Sequence, residues 1–72
     1  MPPFPEANIL SPREESVIKL IAEGHGNKEI ADVLSISLKT VESHRASALR
    51  KLNLSSTADL VRYAIRNKLI NL

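Results

Sequence analysis

Four of the ten lysines and arginines in this 72-residue chain, Lys39, Arg45, Arg50 and Lys51, fall in one short stretch. Cations grouped this way suit the attraction of a polyanion, lysine as a point charge and arginine as a forked donor to phosphate or carboxylate oxygens. Residues that make and break bonds are much sparser. Cysteine is absent, and the two histidines, His25 and His44, are widely separated, so no metal-ligand spacing is present. Neither a glycine-rich phosphate loop nor a nucleophile–base pair can be read from the order of residues. The sequence therefore points to recognition and not to an enzyme, with no metal and no cofactor expected.

The overall charge is only +2, but its distribution is uneven. Residues 1–38 carry three basic side chains against six acidic ones, whereas residues 39–72 carry seven against two. That asymmetry favours a polyanionic partner for the second half, although a solvated surface explains charge alone equally well. A chain of this length forms one small core, burying roughly 60% of its unfolded surface, and gains stability from a partner. No apolar run approaches the roughly 20 residues that span a bilayer. The opening Met1-Pro2-Pro3-Phe4-Pro5 is unlike a signal peptide, so a cytoplasmic protein is expected.

The cations need elements to position them, and the sequence predicts four helices. Residues 1–9 read as a proline-rich arm or linker, and 10–72 as the folded domain. Ser11-Pro12-Arg13-Glu14 is a capping box with proline at the first helical position. Val17, Ile18, Leu20 and Ile21 follow as an apolar face, and Gly24 is the stop. Asn27 is expected to cap a second helix, Lys28 to about Leu34, with Ile30, Ala31, Val33 and Leu34 apolar. Ser35-Ile36-Ser37 is a tight connection, and Ser37 caps a third helix ending near Leu52, before Asn53. Ser56 and Asp59 suggest another capping box and a fourth helix to about Asn67. The fold class is all-α.

Two helices joined by three residues must cross steeply, as in a helix-turn-helix. Ala31 supplies the small residue at the close approach, while Ile30, Leu34, Ile36 and Val41 hold the corner. A plain helical hairpin is the alternative, but it does not require Ala31 and Ile36 together. On a helical wheel, Val41, Ala48 and Leu52 share one side of the third helix, bordered by His44 and Arg45. Lys39, Ser43, Ala46 and Arg50 occupy the other, with Glu42 and Ser47 at its margins. A face small in the middle and cationic at both ends can enter a major groove about 12 Å wide. His44 is read as a packing or hydrogen-bonding residue and His25 as a solvent-facing one.

Leu10-Ser-Pro-Arg-Glu, Ile21-Ala-Glu-Gly24, Asn27-Lys-Glu-Ile-Ala31, Ile36-Ser, Thr40-Val-Glu-Ser-His-Arg45 and Lys51-Leu52 together resemble the LuxR-type helix-turn-helix domain. The run is most similar to the effector domains of NarL/FixJ response regulators, in particular the FixJ-like group. Ser56-Thr-Ala-Asp-Leu-Val-Arg-Tyr-Ala64 fits that group as well, and the likeness extends over residues 10–70. It implies a four-helix fold that binds double-stranded DNA as a homodimer and regulates transcription. An N-terminal receiver or sensor domain, as in two-component systems, is the arrangement it implies if the chain is a fragment. The groove-facing positions it implies are Glu42, Ser43 and Ala46, where some members have lysines and this chain does not. Glu42 either accepts from cytosine N4 or pairs with Lys39 or Arg45 along the helix, and the intrahelical pair is slightly favoured.

The remaining expected DNA contacts are Lys39, Thr40, Arg45, Ser47, Arg50 and Lys51, with Asn27 and Lys28 presenting the second helix's free N–H groups to phosphate. On the fourth helix, Ala58, Val61 and Ile65 form an apolar stripe beside the one carrying Leu60 and Ala64. With Arg62, that second stripe is the expected dimer interface; burial of both stripes by the first helix is the alternative. RNA polymerase is a further candidate partner, as is an acidic protein that docks on the basic half.

Overall fold

In the computed structural model, residues 9–70 are described. They form α1 (Pro12–Ala22), α2 (Asn27–Leu34), α3 (Leu38–Leu52) and α4 (Thr57–Arg66). Four helices and no strand occur among them, the all-α class expected. Of the predicted arm, all but Ile9 lies outside the described residues.

Each helix starts where the sequence supplies acceptors. Ser11 accepts from Glu14 N–H while the Glu14 carboxylate accepts from Ser11 N–H, completing the capping box. Ser37 caps α3 by accepting from Thr40 N–H. Ser56 caps α4 through Asp59 N–H, but the Asp59 carboxylate is taken by Ser55 and Arg62, so the expected reciprocal box is replaced by an i,i+3 ion pair. The second helix corrects the sequence reading. Its N-cap is Gly26, with no side-chain cap, and Asn27 is already helical.

The helix ends share one device. Gly24, Ser35, Asn53 and Lys68 are left-handed, with φ of 100°, 56°, 57° and 58°. After each, the next N–H reaches back five residues, from His25 to Leu20, Ile36 to Ala31, Leu54 to Leu49 and Leu69 to Ala64. These closures satisfy carbonyls that the helix would otherwise leave open. Three of them also return an apolar residue, Ile36, Leu54 or Leu69, to the core. Only one left-handed site is glycine, so the others carry a side-chain strain of about 1–2 kcal/mol. Ser35→Gly is expected to raise stability by about 0.5–1 kcal/mol once glycine's greater unfolded-state freedom is offset. Thermal unfolding of the two chains checks it.

Val17, Ile18 and Ile21 of α1, Ile30 and Ala31 of α2, Val41 and Ala48 of α3 and Leu60 of α4 make the buried core. Helix α1 packs against each of the other three, and α2 packs against α3. Ala31 is buried at the crossing, with Leu34 and Ile36 packed against the core, as the helix-turn-helix reading requires. Val33, the other apolar member of α2, is 58% exposed and belongs to the outer side of the helix.

Candidate nucleic-acid interface

The last two turns of α3 are fixed by α1. Glu14 is the one buried charged residue among those described, 5% exposed, and its Oε1 lies 2.8 Å from Lys51 Nζ. Burial opposes the ionised carboxylate, but Lys51, the Ser47 hydroxyl and Ser11 N–H outweigh that effect and lower its pKa to about 2. One carboxylate therefore completes the cap of α1 and ties the end of α3 to it. Lys51, expected at the interface, is committed to this pair, though its side chain remains 37% exposed. Ser47, half-buried, bears on the same carboxylate.

Arg45 is half-buried and donates to Thr57 Oγ1 at 2.7 Å, joining α3 to the first turn of α4. The partner on the other helix is a neutral hydroxyl and not a carboxylate. Thr40 shares a 2.8 Å hydrogen bond with Ser37 Oγ and so belongs to the cap of its own helix. His44 is half-buried at the core margin. His25 does more than face solvent: its Nδ1 lies 2.7 Å from Glu29 Oε1, bracing the approach to α2.

What remains outward on α3 is Lys39, Glu42, Ser43, Ala46 and Arg50, all exposed. None of their side chains hydrogen-bonds or ion-pairs with another described residue. The favoured pairing of Glu42 with Lys39 or Arg45 is thus not formed, because Arg45 turns to Thr57 and Lys39 points clear. The face is small at Ser43 and Ala46, cationic at its two ends and anionic at Glu42. Beside it, Lys28 is exposed and Asn27 half-buried at the uncapped start of α2. The first N–H groups of that helix carry its positive end without a side-chain acceptor.

Sequence reasoning missed two participants. Leu38, the first residue of α3, is 45% exposed beside this face. The wheel sets it between Leu49 and Leu52, which pack on the core, so only its place at the first position of the helix signalled exposure. Glu14 was recognised as a cap only; nothing local announces a partner 37 residues away.

On α4, Leu60 and Ala64 are buried, while Ala58 and Ile65 are exposed, Ile65 by 39%, and Val61 is half-buried. Helix α1 therefore covers one apolar stripe and leaves the other open. Arg62, exposed, is paired with Asp59 at 2.8 Å, which lowers the Asp59 pKa.

A family model described as bacterial regulatory proteins, luxR family, matches residues 8–64. Among curated relatives, the oxygen regulatory protein NreC of Staphylococcus carnosus is 52% identical over 63 residues, covering 88% of this chain and 29% of that protein. NreC of Staphylococcus epidermidis is 52% identical over 62 residues, covering 86% and 28%. The chain thus spans less than a third of the length of these relatives.

Proposed function

Since the chain belongs to the luxR family of bacterial regulatory proteins, we propose that it binds double-stranded DNA sequence-specifically as the effector part of a cytoplasmic transcription regulator. The outward face of α3, free of ties to the rest of the protein, is the observation that carries this reading. In the proposed complex α3 lies in the major groove, with Glu42, Ser43 and Ala46 toward base edges. Lys39 and Arg50 meet phosphates at its two ends. Asn27 and Lys28 present the open start of α2 to a phosphate, a geometry suited to anions. Arg45, tied to α4, and Thr40, tied to the cap of its own helix, would touch the DNA backbone. Lys51 and Ser47 act from behind, through Glu14.

The uncovered stripe of Ala58, Val61 and Ile65, edged by Arg62, is the proposed homodimer contact. Two copies joined there would offer α3 to half-sites one helical turn apart. A receiver or sensor domain preceding this one belongs to the same proposal, because the relatives are much longer than the matched stretch.

Selection from a random duplex pool tests the whole reading. Recovery of a motif repeated with two-fold symmetry, its half-site centres about 10 base pairs apart, is the expected outcome. Glu42→Ala should relax preference at one position of each half-site by roughly 1–3 kcal/mol. Recovery of no enriched sequence at low salt would overturn DNA reading, and an unpaired motif would overturn the dimer.

A further inference from the structure

Among the described residues, large exposed apolar side chains are few: Ile9, Val33, Leu38 and Ile65. Ile65 belongs to the proposed dimer stripe, and Ile9 lies at the edge of the described chain. Val33 and Leu38 flank the turn of the helix-turn-helix, one on each helix, and their surroundings differ. On α2, Glu29 stands one turn before Val33 and Asp32 next to it, both exposed, which sets that residue in an anionic setting unsuited to a phosphate-lined groove. Leu38 lies at the positive end of α3, next to the exposed Lys39 and one turn before Glu42. Recognition helices touch base edges mainly with their N-terminal residues.

From this placement we infer that Leu38 is a specificity-determining residue that reads the C5 methyl group of a thymine in the major groove. The inference rests on the DNA-binding reading and names part of its code. The outward face of α3 has few side chains that favour guanine or adenine. Arginine and lysine stand only at its ends, and asparagine and glutamine do not occur in the helix. Readout then falls to the Ser43 hydroxyl, the Glu42 acceptor and apolar contact. Covering an exposed leucine is most favourable when the covering group is itself apolar and gives up no hydrogen bonds to water, and the thymine methyl is the apolar group that the major groove displays. Ala46, two turns further on, is small enough to let the backbone settle to the depth at which Leu38 can reach it. Leu38 is not among the residues packed against the buried core, and nearly half of its surface is open to a partner.

Replacing each thymine of the selected duplex in turn by deoxyuridine removes one methyl group and nothing else. For the unaltered chain, one position in each half-site is expected to lose affinity about 3–5-fold, the worth of one buried methyl. Leu38→Ala should bind the thymine duplex more weakly by a similar factor and be indifferent to deoxyuridine at that position, with its melting temperature unchanged. Val33→Ala should retain the full deoxyuridine penalty. The assignment is overturned if no thymine shows a methyl penalty, or if the penalty persists in Leu38→Ala. Loss of all duplex binding by the unaltered chain would instead overturn the DNA-binding reading, and this assignment with it.

Discussion

Lys51→Met is expected to lower the thermal midpoint by about 8–16 °C, the largest effect on stability foreseen for a residue on α3. Removing one member of a buried ion pair costs about 3–5 kcal/mol when both are fully enclosed, because the survivor is left charged and unpaired. Glu14 is enclosed but Lys51 is partly exposed, and Glu14 keeps Ser11 N–H and the Ser47 hydroxyl. A loss of about 2 kcal/mol follows, and in a domain this small each kcal/mol moves the midpoint by about 4–8 °C. Glu14→Gln should cost less, since glutamine can still complete the cap and leaves no charge in the interior. Thermal unfolding by circular dichroism measures both. Equal losses from the two changes would mean that loss of the pair itself, and not a carboxylate left charged without Lys51, sets the cost.

The same carboxylate sets an acid limit. Its pKa of about 2 when folded lies below the ordinary value of 4.5, so the unfolded chain binds the proton more readily. The stabilisation is complete above pH 4.5 and is lost as pH falls from there toward 2. Stability of Glu14→Gln should therefore decline less across that window than stability of the unaltered chain.

For binding, the largest effect is expected from Lys39→Ala combined with Arg50→Ala. Each removes a proposed phosphate contact, and a charge-assisted contact contributes about 1.5 kcal/mol, or roughly 10-fold in affinity. The two residues stand on the first and last turns of α3, about 16 Å apart along its axis, so their effects should add to about 100-fold for each protomer on the duplex. The plot of log affinity against log salt should flatten by about 2 units per protomer, with every duplex weakened alike. Folding should be little affected, because neither side chain has a partner within the described chain. Lys51→Ala supplies the contrast: a lower melting temperature with an unchanged salt slope. An unchanged slope in the double variant would remove Lys39 and Arg50 from the phosphates.

Local chemistry was the legible part of the fold. Ser11, Ser37 and Ser56 cap helices because a hydroxyl three residues before a free N–H can close on it without help from elsewhere. Gly24 and Asn53 were readable as stops for the same reason. Lys68 was not, because nothing in a lysine announces positive φ; the return of Leu69 to the core imposes it. The exposure of Val33 was not legible, because an eight-residue helix leaves its apolar stripe loosely defined and only the crossing of α2 over α3 decides which side faces in.

The site divides in the same way. The cations of α3 and its small centre were visible on a wheel. Which cations remain outward was not, since Arg45 and Lys51 are claimed by Thr57 and Glu14 from distant parts of the chain. The favoured pairing of Glu42 failed on that account: a helical neighbour is available only if no other element has taken it.

The side chains that secure α3 and those that face away from the protein are separate sets. Val41, Ala48, Arg45 and Lys51 hold the helix, while Leu38, Glu42, Ser43 and Ala46 carry no such duty. Exchanges at the second set would therefore change what the proposed surface reads without testing whether the domain still folds. Two copies of such a gene could diverge in target by single substitutions, each intermediate remaining a sound protein, so new regulatory circuits lie one step apart along a path that selection against unfolding does not block.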